Sequence, residues 1–102
     1  MALLVDETLD RLMEIVLARG AGGRMPSQDA LSIEFGVSRT VLREAVSKLE
    51  FLGVLTSRPK IGTLISNPSK WQIVNADVIQ WRLRAGESRA SLSAEIAGVE
   101  ID

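Results

Sequence analysis

Arg39 and Arg43 stand four residues apart in the stretch VSRTVLREAVSKLEFLG. On an α-helix that spacing puts both guanidinium groups on one face, a single turn apart. Ser38 precedes them and reads as an N-cap, since its hydroxyl can accept a hydrogen bond from an otherwise unpaired amide of the first turn. Val37 and Leu42 are spaced to form a hydrophobic staple. Leu42, Ala45, Val46, Leu49 and Leu52 recur at helical spacing and predict one buried stripe. The outward face begins with Arg39, Thr40 and Arg43, both arginines expected free, and continues to Ser47 and Lys48. Guanidinium and hydroxyl groups crowded at a helix N-terminus can meet guanine edges or phosphates, and the helix end itself favours phosphate. That chemistry suits insertion into a DNA major groove. The plain alternative is a solvated helix face.

Positioning such a helix requires a partner, and Pro26 to Gly36 supplies one. Ser27 is a second N-cap candidate, and Ala30, Leu31 and Phe35 are expected to point inward. Gly36 falls where a helix ends in a left-handed residue. Helix, Gly-containing turn and helix form a helix-turn-helix pattern, with an ordinary αα-hairpin as the bland reading. Upstream, Val5, Leu9, Leu12, Met13 and Val16 predict a scaffold helix over Leu3–Arg19, with Asp6 and Glu7 near its N-terminus suiting the dipole. Arg24 and Met25, before proline, read as a short extended piece. Downstream the period changes. Val54–Arg58 and Thr63–Ser66 read as strands around Pro59, Lys60, Ile61 and Gly62, a hairpin whose tip would carry Lys60 and Gly62 with Arg58 beside it. Such a hairpin is either a DNA-touching wing or a cover for the helical core.

The fold class expected is therefore mainly α with a small β-hairpin, a winged helix-turn-helix over residues 1–67. Residues 68–87 read as a linker with a short helix, capped by Asn75, with Asp77 in its first turn and Gly86 at its end. Val74, Val78, Ile79, Trp81 and Leu83 would give that helix apolar surface. Trp71 and Trp81 read as packing anchors, with ligand stacking the lesser alternative. Ser88 is a candidate cap for a last, frayed helix containing Leu92 and Ile96.

Composition narrows the function classes. The chain has 102 residues, 46% of them hydrophobic, and a formal net charge of -1, so the placement of charge rather than its sum must govern any nucleic-acid affinity. Acids gather at the start and towards the end. From Arg24 to Lys60 the bases Arg24, Arg39, Arg43, Lys48, Arg58 and Lys60 outnumber Asp29, Glu34, Glu44 and Glu50. Neither cysteine nor histidine occurs, which removes disulfides, common zinc sites, thiol nucleophiles and imidazole bases. No cofactor or metal is expected, and an enzyme is the least supported class. No apolar run approaches a membrane span, and the acidic start lacks the basic region of a secretory signal, so a cytoplasmic location is the default.

Taken in order, Pro26-Ser27, Gly36-Val37-Ser38-Arg39-Thr40, Arg43-Glu44-Ala45, Leu49, Gly53, Arg58-Pro59 and Gly62-Thr63 resemble the N-terminal domain of GntR-family bacterial transcription regulators. The Trp71, Asp77-Val78 and Trp81 segment resembles the linker of the FadR-type branch, particularly its galactonate-regulator-like members. SLSAEIAGVEID is similar to the start of that branch's effector-binding domain, so residues 88–102 are expected to be a truncated beginning of it. The resemblance implies DNA contacts from Ser38, Arg39, Thr40, Arg43 and the wing at Gly62, a homodimer on a two-fold related operator, and a small-molecule effector, such as a sugar acid, bound by a domain absent from this chain. It implies a metabolite-responsive repressor; the alternative is a winged-helix module that binds protein and not DNA. Two departures matter. Gln28 and Asp29 replace the family's usual Glu-Arg, which puts an acid near the phosphate backbone, and Lys60-Ile61 replace the usual Gly-Arg in the wing.

Overall fold

The computed structural model describes residues 2–87 together with Leu92 and Glu95. Its elements run α1 (Ala2–Arg19), α2 (Gln28–Phe35), α3 (Arg39–Phe51), β1 (Leu55–Arg58), β2 (Gly62–Ile65), a 3₁₀ turn (Pro68–Lys70) and α4 (Ala76–Arg84). Three helices followed by an antiparallel hairpin give the winged helix-turn-helix that the sequence predicts. The expected Ser88 cap and Ile96 lie outside the described residues.

Local side-chain chemistry sets the helix ends. Ser27 Oγ accepts from the Ala30 amide at 3.1 Å, and Ser38 Oγ from the Val41 amide at 3.1 Å. Each bond satisfies one donor that the helix itself leaves unpaired. Gly36 closes α2 with φ 67, and its N–H reaches the carbonyls of Ser32 and Ile33. That left-handed residue costs glycine little and turns the chain sharply into α3.

One core ties the elements together. Leu12, Met13 and Val16 of α1, Leu31 of α2, Leu42, Ala45, Val46 and Leu49 of α3, and Leu55 and Ile65 of the hairpin are at most 3% exposed. Each large aliphatic side chain so buried contributes about 1.5–3 kcal/mol. Val37 packs against this cluster, as a staple partner of Leu42 should. Thr8 is buried too, its hydroxyl donating to the Leu4 carbonyl at 2.8 Å.

Several expectations need correction. Ala30 is exposed, because the short α2 turns only Leu31 and part of Phe35 to the core. Leu52 is half-buried, since it caps α3 instead of completing its stripe. Helix α1 begins at Ala2, so Asp6 and Glu7 fall beyond its first turn. Val74 is 61% exposed, lying ahead of α4 rather than on its packed face. The hairpin pairs Leu55 with Ile65 through to Arg58 with Gly62, so Gly62 opens β2 and the loop is Pro59, Lys60 and Ile61. Arg24 and Met25 run beside β2 as an extended piece, with Arg24 bridged to Leu64 and the Met25 amide donating to the Thr63 carbonyl at 2.9 Å. The Gly22 amide, in the turn before them, donates to the Ile65 carbonyl at 2.8 Å.

The segment after the hairpin folds back onto the core. Trp71 is 2% exposed and its indole N–H donates to the Ser66 carbonyl at 3.1 Å. The Gln72 amide donates to the carbonyl of Leu52, at the end of α3, at 2.7 Å. Gly53, at φ 79, passes so near this segment that a Cβ there would lie 2.6 Å from the Lys70 carbonyl oxygen. Helix α4, capped by Asn75, buries Val78 and, unexpectedly, Arg82. The Arg82 guanidinium donates to both carboxylate oxygens of Glu87, both of Glu95 and the Trp71 carbonyl, at 2.6–3.2 Å. Bonding to Glu95 first, then Glu87, outweighs burial and raises the arginine's pKa, while Arg82 lowers that of Glu95.

Candidate nucleic-acid interface

All nine residues singled out from the sequence (Ser38, Arg39, Thr40, Arg43, Ser47, Lys48, Arg58, Lys60 and Gly62) are exposed. They divide by position. Ser38, Arg39, Thr40 and Arg43 occupy the cap and first turns of α3, where the unpaired amides and the positive end of the helix dipole lie. The Ser38 oxygen accepts from its own helix, which leaves the hydroxyl proton available for donation.

Arg39 is not free. Its Nη2 lies 3.3 Å from Asp29 Oδ1 in α2, and the two side chains are 72% and 69% exposed. An ion pair so open to water is worth about 0–1 kcal/mol, so it restrains the guanidinium without locking it. Arg43 has no ion-pair partner among the described residues. The sequence showed an acid at position 29 but not that the turn at Gly36 would bring it to the first residue of α3.

Arg58, Lys60 and Gly62 belong to the hairpin. Lys60 sits at its tip with φ 68. The turn from Arg58 to Ile61 is closed by the Ile61 amide donating to the Arg58 carbonyl at 3.2 Å, and Pro59 precedes the positive-φ residue, the arrangement of a type II turn. The hairpin is tied to α3 by the Ser57 hydroxyl, which donates to Glu50 Oε2 at 2.6 Å. Exposed Arg24 joins this group: its Cδ would lie 3.9 Å from a Cβ at Gly62. Its base was visible in the sequence, but only the pairing with β2 places it beside the wing.

Ser47 and Lys48 lie apart, further along α3. They line an open groove with Asp6 and Asp10 of α1 and Asp77 and Trp81 of α4. Asp6, Asp10, Glu44 and Asp77 share this groove with Lys48, so the groove as a whole offers a phosphate backbone little attraction. No group of metal-ligating side chains occurs among the described residues, and no described helix is long and apolar enough to cross a membrane.

The capped, arginine-bearing helix α3 with a basic hairpin after it defines the class: a winged helix-turn-helix domain of the kind found in transcription regulators. Residues 5–65 match the family described as bacterial regulatory proteins, gntR family. The chain belongs to that family, and this span is its winged helix-turn-helix DNA-binding domain. The HTH-type transcriptional regulator YieP of Escherichia coli K12 is 38% identical over 60 residues, 59% of this chain and 26% of YieP. A candidate regulatory protein of the L-lactate dehydrogenase operon, also from E. coli K12, is 42% identical over 64 residues, 61% of this chain and 25% of that protein. A GntR structure from Streptococcus agalactiae is 36% identical, with TM-score 0.54, covering 61% of this chain and 31% of its own. The chain thus spans about a quarter of the length of these curated relatives.

Proposed function

We propose that this chain is the sequence-specific DNA-binding part of a metabolite-responsive transcriptional repressor. The observation that carries the reading is the pair Arg39 and Arg43, one turn apart on the exposed, capped end of α3. Arg39 and Arg43 enter the major groove, Ser38 and Thr40 position on phosphate, and Arg58, Lys60 and the backbone at Gly62 follow the adjacent backbone or groove. Ser47 and Lys48 are secondary contacts at most, given the carboxylates that share their groove. The working unit is a cytoplasmic homodimer on a two-fold related operator. The effector binds outside these 102 residues, in a protein of the FadR-type, galactonate-regulator-like branch. A sugar acid fits that role, and the lactate-operon relative supports the wider hydroxy-acid class. The chain is not an enzyme; the regulator names of its relatives support this.

Fluorescence anisotropy on duplexes from the DNA upstream of the encoding gene tests the reading. Replacing Arg39 or Arg43 by alanine should each cost about 1–3 kcal/mol, roughly 5- to 150-fold in Kd, if both read bases. Affinity should also fall steeply with salt as phosphate contacts release counterions. Unchanged affinity in both variants, with salt-insensitive binding, would refute it. The rival reading, a protein-binding winged helix, draws on the acidic groove at Ser47 and Lys48 and predicts no specific duplex at all.

A further inference from the structure

The ion pair between the two helix starts bears on selectivity. Asp29 is the second residue of α2, and Arg39 is the first of α3. The pair is too exposed to hold the fold together, so its consequence must be sought elsewhere. The carboxylate is favoured independently of Arg39: it lies in the first turn of a helix capped by Ser27, where the dipole suits an anion. Among the exposed bases of α3 and the hairpin, only Arg39 has an ion-pair partner among the described residues. Asp29 therefore acts on one guanidinium alone.

We propose that Asp29 is a positioning residue for base selectivity: it orients the Arg39 guanidinium towards one base pair of the operator and disfavours duplexes lacking it. The inference rests on the DNA-binding reading above. A guanidinium has five N–H donors, and the carboxylate meets it at Nη2, so a two-bond fork to a guanine edge remains available. Such a fork requires a defined guanidinium plane, and the ion pair to the neighbouring helix biases Arg39 towards one without locking it. A phosphate contact requires no plane, and the Asp29 charge repels phosphate. The same side chain thus sharpens the specific complex and weakens the non-specific one.

The test is selection from a randomised duplex library with the wild-type chain, D29N, R39A and the D29N/R39A double variant, each bound pool being sequenced. Anisotropy on a random-sequence duplex runs alongside, and melting temperatures confirm folding. The wild type should enrich a motif. D29N should lose about two- to fivefold of the preference at the base pair that R39A also loses, and keep the others. Its affinity for random duplex should rise about two- to fivefold. In the R39A background D29N should change no base preference. A D29N motif identical to wild type overturns the inference and leaves the DNA reading standing. So does a change at a base pair that R39A leaves intact, since Asp29 would then read that base itself. A wild-type chain that enriches no motif removes the DNA reading and this inference with it.

Discussion

Arg82→Ala offers the sharpest test of how the fold is held. The guanidinium is 1% exposed and all five of its N–H groups are engaged. Removing it leaves the Trp71 carbonyl without its donor in the interior, at a cost of about 1–3 kcal/mol. Glu87 and Glu95 lose charge-assisted bonds, but their side chains are 18% and 43% exposed, so water replaces much of what is lost. Relief of the buried cation offsets part of the remainder. The net expectation is a loss of roughly 2–3 kcal/mol, or about 10–20 °C in Tm for a domain of this size. R82M, which restores packing without charge, should recover part of it. R82K should recover little, because a lysine cannot form the planar fork. The assay is thermal unfolding followed by circular dichroism from pH 7 to pH 3. The folded-state pKa of Glu95 is depressed, so its contribution is complete above the unfolded value near 4.5 and is lost as pH falls through the folded value. Wild type should lose stability in that acid range, and R82A should show a flatter profile. A Tm change under about 2 °C, or an unaltered acid limb, would refute the reasoning.

Gly53→Ala should destabilise by about 3 kcal/mol or more in urea titration: alanine resists φ 79, and its Cβ would force Lys70 aside. Replacement of Lys60 by glycine should stabilise by up to about 1 kcal/mol in the same titration, by relieving a left-handed non-glycine residue. K60G should also weaken DNA binding and flatten its salt dependence by about one phosphate contact, measured by anisotropy. A K60G variant that unfolds more easily would show that the tip residue is held by something other than turn geometry.

What could be read from the sequence was what short-range chemistry decides. Ser27, Ser38 and Asn75 cap because each short polar side chain stands just before a helix, within reach of the first turn's unpaired amides. The stripe of α3 and the hairpin followed from periodicity. The residues missed depend on contacts distant along the chain. Arg82 lies one turn after Val78 on the packed face of α4, yet a charged side chain at that spacing reads as solvated until its acids at 87 and 95 are in place. Asp29 reaches Arg39 only because Gly36 folds α2 back against the start of α3. Gly62 was misplaced by one strand position, since a turn with proline second and a positive-φ lysine third closes earlier than a glycine-centred one.

The crossing of Gly53 beneath Lys70 also decides where this protein can be spliced. Hybrid regulators are built by moving a helix pair and its hairpin from one scaffold to another, and the Asn67-Pro68 break looks like the natural seam. Cut there, the end of α3 would meet a foreign backbone at a spot with no room for a methyl group, and Trp71 would be parted from its Ser66 acceptor. The transferable cassette extends at least through Gln72, whose amide latches onto Leu52.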